Sequence, residues 1–414
     1  GRFPLLGAAA FQGESETVQL LLDRGADPNA RGQHDVTPLM MAAAAPRPNP
    51  ELTTSLLAHG ADLNAHDAAG RTALDWATTQ GDTDVARLLR TRGASSNGHQ
   101  LAAPDPIKEP RTARIAVVAA RDALQPVGSV LYDRRKCIAC HHQTLPLMVM
   151  ALASSRGVAP ATDASAKTID AITAVWNGRR EDLLLGREVA GGANELSYGL
   201  LAFAEAGVKP NATTDAAVVN LISLQRADGS WVFLDTRPPQ ADNSPISFTA
   251  MAIRGLSVYA PSGIRGEVDG AIGRARDYIR KAVPTSTQDE AFKLLGLTWG
   301  HAPANEIAAQ SKRLLALQRP DGGWAQMPTM ASDAYAAGEA LYALSVSGIS
   351  SKSGAYQKGT AFLLRSQLPD GTWFVRSRAF GFQPYFETGF PHGVDQFISA
   401  SATAWAAIAL LSGL

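Results

Sequence analysis

Two repeats of different period divide this chain, and each restricts what its own part can fold into. In the first, Gly25-Ala26-Asp27-Pro28-Asn29-Ala30 recurs as Gly60-Ala61-Asp62-Leu63-Asn64-Ala65 and, weakened, as Gly93-Ala94-Ser95-Ser96-Asn97, a period of 33–35 residues. Thr37-Pro38-Leu39 recurs as Thr72-Ala73-Leu74, with Phe3-Pro4-Leu5 in the same phase. In the second, Gln225-Arg226-Ala227-Asp228-Gly229-Ser230-Trp231 recurs as Gln318-Arg319-Pro320-Asp321-Gly322-Gly323-Trp324 and as Gln367-Leu368-Pro369-Asp370-Gly371-Thr372-Trp373, at separations of 93 and 49 residues. Self-similarity at a fixed period means that one small unit stacks on copies of itself, each burying a face that it cannot bury alone.

The first units resemble ankyrin repeats, which implies a β-turn plus two short helices in each and a stack that binds proteins. Leu20-Leu21-Leu22, Leu56-Leu57 and Leu88-Leu89 are expected on the apolar face of each second helix. Three units fill residues 1–98, and the first lacks its leading hairpin and a polar cap. Stacked repeats need capped ends, so residues upstream of Gly1 or a partner over that edge are expected. Residues 99–110, rich in Ala and Pro, read as a linker.

Residues 111–414 follow the second pattern: a helix, a Gln-x-x-Asp-Gly-x-Trp turn, a loop and an apolar helix. The Asp-Gly pair supplies the turn, and the Gln and Trp are expected to tie neighbouring helices together. A separation near twice 49 predicts one degenerate unit between the first two copies, with helices at Ala271–Ile279 and Ala291–Trp299. Two more fit around Ile169–Val208 and Ala113–Val158, making six helix pairs. The turn resembles the QW motif of the squalene–hopene cyclase and prenyltransferase superfamily. That resemblance implies a closed (α/α)6 toroid, the second helix of each pair lining its centre. The expected fold class is all-α: an ankyrin solenoid with short β-turns, then the toroid.

Charge is balanced, 38 basic against 38 acidic residues with a pI near 7.3, so no electrostatic footprint for nucleic acid exists. No stretch of about 20 unbroken apolar residues suggests a transmembrane segment, and a soluble chain is expected. Only two cysteines occur, both in Cys137-Ile138-Ala139-Cys140-His141.

That motif has the C-x-x-C-H spacing of c-type haem attachment. At the start of a helix, two cysteines three apart bond both vinyl groups of one haem, and the next His turns beneath the iron as proximal ligand. A thioredoxin-like disulfide normally needs a βαβ setting, which is lacking here. Zinc needs a second ligand pair at a familiar spacing. Inert core thiols fit poorly between Arg134-Arg135-Lys136 and His141-His142-Gln143. The expected cofactor is one covalent haem c, bound by Cys137, Cys140 and His141.

Ring closure places the pair-six loop, Phe374 to about Asp395, beside His141. Its Phe374, Phe380, Phe382, Tyr385, Phe386 and Phe390 form an expected aromatic flap over the mouth of the ring. For the sixth ligand His392 is the first candidate, Met327 and Met330 in the pair-five loop are others, and a five-coordinate iron is the alternative. Arg376 and Arg378 are expected propionate partners, their forked geometry suiting carboxylates. Gln143, Glu195, Asp242, Asp333 and Asp395 open the inner helices and read chiefly as caps satisfying helix N–H groups.

The cyclase resemblance carries a rival reading. Class II cyclases protonate their substrate with an Asp-x-Asp-Asp motif, and none occurs here; nor is there a third cysteine for the prenyltransferase zinc site. The reading is therefore a monohaem electron-transfer protein, or the haem-bearing subunit of a redox assembly, whose ankyrin part docks a protein partner. A periplasmic or otherwise extracytoplasmic location in a bacterium is expected. An isoprenoid- or lipid-binding enzyme using the toroid cavity is the alternative.

Overall fold

A computed structural model describes residues 4–98, 103–136, 138–158, 164–187, 189, 191–233, 238–239, 244–380 and 385–414. The chain forms two compact units. The first comprises Gly1–Ala103 with Met327–Ala331 and Arg378–Tyr385; the second comprises Pro104–Gln326, Ser332–Ser377 and Phe386–Leu414.

The first unit stacks α1 (Leu5–Gln12), α3 (Pro38–Ala43) and α5 (Ala73–Thr78) in one row, and α2 (Ser15–Asp23), α4 (Pro50–Ala58) and α6 (Asp84–Thr91) in another. The recurring Thr is the helix cap: Thr37 accepts from the Met40 N–H, and Thr72 forms a reciprocal box with Asp75. The recurring Asn is the rung between units. Asn29 donates to the Gly60 carbonyl at 2.8 Å and accepts from the Asp62 N–H at 2.6 Å. Asn64 likewise accepts from the Ser95 N–H at 2.8 Å. Of the leucine runs, Leu22, Leu56 and Leu89 are buried, whereas Leu20 is 53 % exposed. Leu21 and Leu57 pack against the same core at its margin, and Leu20 turns away because successive helix positions rotate by about 100°.

One aromatic departs from expectation. Phe380, read from sequence as part of the ring's flap, is buried in the ankyrin core, its ring 4.2 Å from Trp76 and 5.3 Å from Phe11. Thr329 of the same unit donates to the Gln80 carbonyl at 2.6 Å.

In the second unit, α9 (Leu145–Ser155), α12 (Gly192–Glu205), α14 (Pro245–Tyr259), α16 (Thr287–Trp299), α18 (Ala334–Val346) and α20 (Gln396–Ser412) each touch the next, and α20 touches α9. This is a closed inner ring. The outer helices are α7 (Ala113–Leu124), α10 (Ala164–Gly178), α13 (Ala212–Ser223), α15 (Arg265–Lys281), α17 (Ala304–Ala316) and α19 (Gly354–Ser366). Two short helices that the repeat did not foretell, α8 (Val127–Arg135) and α11 (Arg180–Leu184), interrupt the first two pairs. The expected all-α class is thus the observed one, an ankyrin solenoid and a six-pair helical ring.

The repeated turn explains how the pairs lock. Each Gln side chain bridges two carbonyls, one in its own turn and one in the next outer helix: Gly229 and Ala271 for Gln225, Gly322 and Ala355 for Gln318, Gly371 and Ala116 for Gln367. Each Trp donates back to the helix before it, at Leu221, Leu314 and Leu363. The turn glycines have positive φ, and a Cβ on Gly371 would lie 2.6 Å from that of Ala119, so the turn must abut the outer helix without a side chain.

The stretch Gly393–Ser412 is long and apolar enough to cross a membrane, but 83 % of its most apolar 18 residues are buried. Its apolarity is that of a central helix packed on all sides.

Candidate functional site

The turn that carries Cys140 and His141 lies where the ring closes. Cys140–Thr144 form a π-type turn that runs directly into α9. Cys137 lies outside the described residues, as do the side chains of Cys140 and His141. Their neighbours are well fixed. Gln143 accepts from the Ala139 N–H at 2.7 Å and donates to the Gly128 carbonyl at 3.2 Å, so one amide ties the turn to itself and to α8. Lys136 caps α8 in a left-handed conformation, φ 51°, and turns the chain into the motif.

His142 is fully buried, with its Nε2 2.9 Å from the Thr388 hydroxyl and its ring against Phe390 and Phe397. Thr388 donates its proton to Gln396, so it accepts from His142, which fixes the Nε2–H tautomer. His142 is the contact through which the pair-six loop meets the pair-one turn, and no signal in the sequence marks it.

The pair-six loop does approach this turn, as ring closure required. Phe386 lies under the guanidinium of Arg134, 5.9 Å from its ring centre. His392 sits further along, its Nε2 2.8 Å from the Thr372 hydroxyl, between the rings of Phe374 and Phe390. Thr372 donates to Asp370, so it accepts from His392, leaving Nδ1 as the lone-pair nitrogen of the neutral imidazole. Burial pushes the His392 imidazole below its ordinary value, against the pull of Asp370 and Asp395. Arg376 lies 6.0 Å from the centre of the Phe374 ring. Arg378, Met327 and Met330 fall in the ankyrin unit, and Arg378 is buried there.

The acidic residues at the helix openings divide. Asp333 caps α18 through the Ala336 N–H at 2.9 Å. Asp395 accepts from the Ser377 N–H at 2.8 Å. Asp242 lies outside the described residues. Glu195 departs from the capping expectation, because Gly191 precedes α12 and makes no side-chain cap. Its carboxylate accepts from Trp176 Nε1 at 3.1 Å and lies 3.6 Å from Arg179. Gly199, four residues on along the same face, permits this: a Cβ there would lie 2.4 Å from the Trp176 ring. Burial pushes the Glu195 carboxyl up to about 7, against the opposing effects of Arg179 and the Trp176 hydrogen bond.

Arg179 also lines an open cleft of about 300 Å³, whose other walls are Tyr132 of α8, its cap Lys136, and Ala174, Val175 and Gly178 on α10. Lys136 Nζ lies 4.9 Å from the centre of the Tyr132 ring. Among the described residues no cluster of His, Cys, Asp and Glu forms a metal site.

Inside the ring, Trp405 packs against Phe292 at 6.2 Å and Tyr342 at 5.6 Å, joining α16, α18 and α20 across the inner face. The Tyr335 hydroxyl donates to Gln288, and Gln288 to Ser247, in a buried chain across α18, α16 and α14.

Comparison with known proteins identifies the first unit. Residues 5–99 match the family model for ankyrin repeats, in three copies. The human ankyrin repeat and KH domain-containing protein 1 is 42 % identical over 91 residues, 22 % of this chain and 4 % of that protein. This chain therefore spans only a small part of such relatives. The rat cyclin-dependent kinase 4 inhibitor B is 37 % identical over 93 residues, 22 % of this chain and 67 % of that protein. Among solved structures, a glycosidase covers 72 % of this chain and 98 % of its own at 11 % identity and a TM-score of 0.47. A type II terpene cyclase from Scytonema covers the same shares at 15 % identity and a TM-score of 0.42. Ankyrin repeats generally mediate protein–protein interactions, and through residues 5–99 this chain belongs to the ankyrin-repeat family.

Proposed function

We propose that this chain is a monohaem c-type protein, an electron carrier or the haem-bearing subunit of a larger redox assembly outside the cytoplasm of a bacterium. The observation that carries the reading is the Cys137-x-x-Cys140-His141 set at the head of an inner helix. Gln143 and the buried His142 on its far side hold that turn.

The residues around the motif fit the group. Two thiols and an adjacent imidazole supply the covalent and axial bonds. When bound, the haem supplies a one-electron iron couple. The chain's own part is to hold the attachment turn, to bury one side of it under Phe390 and Phe397, and to present a protein-binding solenoid. His392 remains the candidate sixth ligand, through Nδ1, because its Nε2 proton is committed to Thr372. A redox partner bound through the ankyrin repeats belongs to the same proposal.

The cyclase alternative is the weaker one. It lacks an Asp-x-Asp-Asp acid.

The test is maturation of the full chain in a host that exports it and attaches haem c. A pyridine haemochrome spectrum and haem staining after denaturing electrophoresis are then read. One covalent haem, lost in C137A/C140A, is expected; absence of covalent haem overturns the reading.

A further inference from the structure

The two helix rows of the ankyrin unit differ in how much water they meet. Every residue of α3, Pro38–Ala43, is buried, and so are residues 73–77 of α5. In the second row α2 buries only Val18 and Leu22, and α4 only Leu52, Thr53 and Leu56. A helix packed only on its stack neighbours keeps one face in water, as the second row does. The first row therefore carries a cover.

Two segments from outside the repeats belong to this unit and lie on that row, Met327–Ala331 and Arg378–Tyr385. Phe380, 4 % exposed, packs on Phe11 of α1 and Trp76 of α5, so one ring links the first and third repeats. The Trp76 indole is fixed independently of Phe380. Its Nε1 donates to Asp67 at 3.1 Å, and Arg71, 3.9 Å from the ring centre, pairs with the same carboxylate at 2.8 Å. Thr329 meets the turn after α5 so closely that only glycine fits at position 81. Its hydroxyl donates to the Gln80 carbonyl, Gly81 has a φ of 84°, and a Cβ there would overlap the Thr329 carbonyl oxygen. A preformed aromatic platform filled by a single side chain is the form of a peptide site with its ligand in place.

We propose that the first-row face of the ankyrin unit is a peptide-binding surface whose resident ligand is the chain's own segment Arg378–Tyr385, anchored by Phe380. A protein partner reaches this face by displacing the segment and seating an aromatic side chain of its own between Phe11 and Trp76. The tether sets the threshold for that exchange, because an attached segment faces its site at an effective concentration on the order of millimolar. This holds with or without haem, since every residue named lies in the ankyrin unit.

The test adds a synthetic peptide of residues 376–387 to the full chain and to its F380A variant. Binding is read by anisotropy of a fluorescent label on the peptide, and stability by thermal unfolding. F380A removes the resident anchor, so the peptide is expected to bind that variant at least about tenfold more tightly than the parent and to raise its unfolding midpoint as peptide is added. The same peptide carrying F380A is expected to bind at least about tenfold more weakly. Equal binding to parent and variant, equal binding by the two peptides, or no binding to the variant overturns the proposal. A variant too unstable to fold alone is refolded with peptide present. Recovery with the Phe380 peptide but not with its alanine form supports the proposal, and any other result overturns it.

Discussion

The side-chain amide of Gln367 donates to the carbonyl of Ala116 at 2.9 Å, joining residues 251 positions apart in sequence. The same nitrogen donates to the Gly371 carbonyl at 2.8 Å, and Oε1 accepts from Arg111 at 3.0 Å. Gln318 and Gln225 make the equivalent amide bonds within the ring. Gln367 alone of the three closes it, from the last outer turn to the first outer helix.

Gln367→Ala leaves two carbonyls without their donor in a place where Gln367 itself is fully buried. An unmet buried polar group costs about 1–3 kcal/mol, so a loss of about 2–4 kcal/mol is expected from urea unfolding. Gln225→Ala, at a partly buried site, should lose about 1 kcal/mol. Equal losses at the two positions would show that burial of Gln367 does not set its cost.

The turn was legible because each of its residues has one local task repeated three times. Gln bridges, Asp accepts from the residue two ahead, Gly turns, and Trp reaches back ten residues. The same holds in the ankyrin units, where Thr caps its own helix three residues on and Asn reaches one repeat away. What was not legible depends on unrepeated contacts. Nothing in the sequence separates Phe380 from the other aromatics of its loop, yet it alone of the described ones joins the ankyrin core. Glu195 occupies the position of a cap in the pattern but takes its partners, Trp176 and Arg179, from an irregular α10–α11 junction. The motif at 137–141 was read from spacing chemistry, and its His142 neighbour shows its role only through Thr388, 246 residues on.

Phe380→Ala empties a site between Phe11 and Trp76 in which the ring is 4 % exposed. Truncating a buried phenylalanine costs about 3–5 kcal/mol. Hydrogen exchange in residues 73–78 and in 5–12 should accelerate, while that in the inner helices of the second unit stays as it was. Acceleration confined to the second unit would show that Phe380 serves the ring instead.

Gly199→Val places a branched side chain where a Cβ alone would lie 2.4 Å from Trp176. Overpacking of this kind costs about 1–3 kcal/mol. The indole must shift and give up its bond to Glu195, so near-ultraviolet dichroism should change along with stability. Destabilisation with an unchanged aromatic spectrum would mean that α12 yields and Trp176 does not.

Glu195 provides a pH test whose sign is fixed. Its carboxyl has an ordinary value of 4.5 and is pushed up to about 7 in the folded chain, where its side chain is only 9 % exposed. The folded state therefore binds this proton more tightly than the unfolded state does. Stability from the neutral carboxyl is fully present below the unfolded value of 4.5 and is lost as pH rises through about 7. A shift of this size corresponds to about 3 kcal/mol. Glu195→Gln keeps an acceptor for the Trp176 N–H and removes the titration. Its stability relative to the parent should rise between these pH values and level off above them, read as the difference between two urea unfolding series. A difference that is flat over the whole interval would mean that Arg179, at 3.6 Å, holds the carboxylate ionised despite its burial.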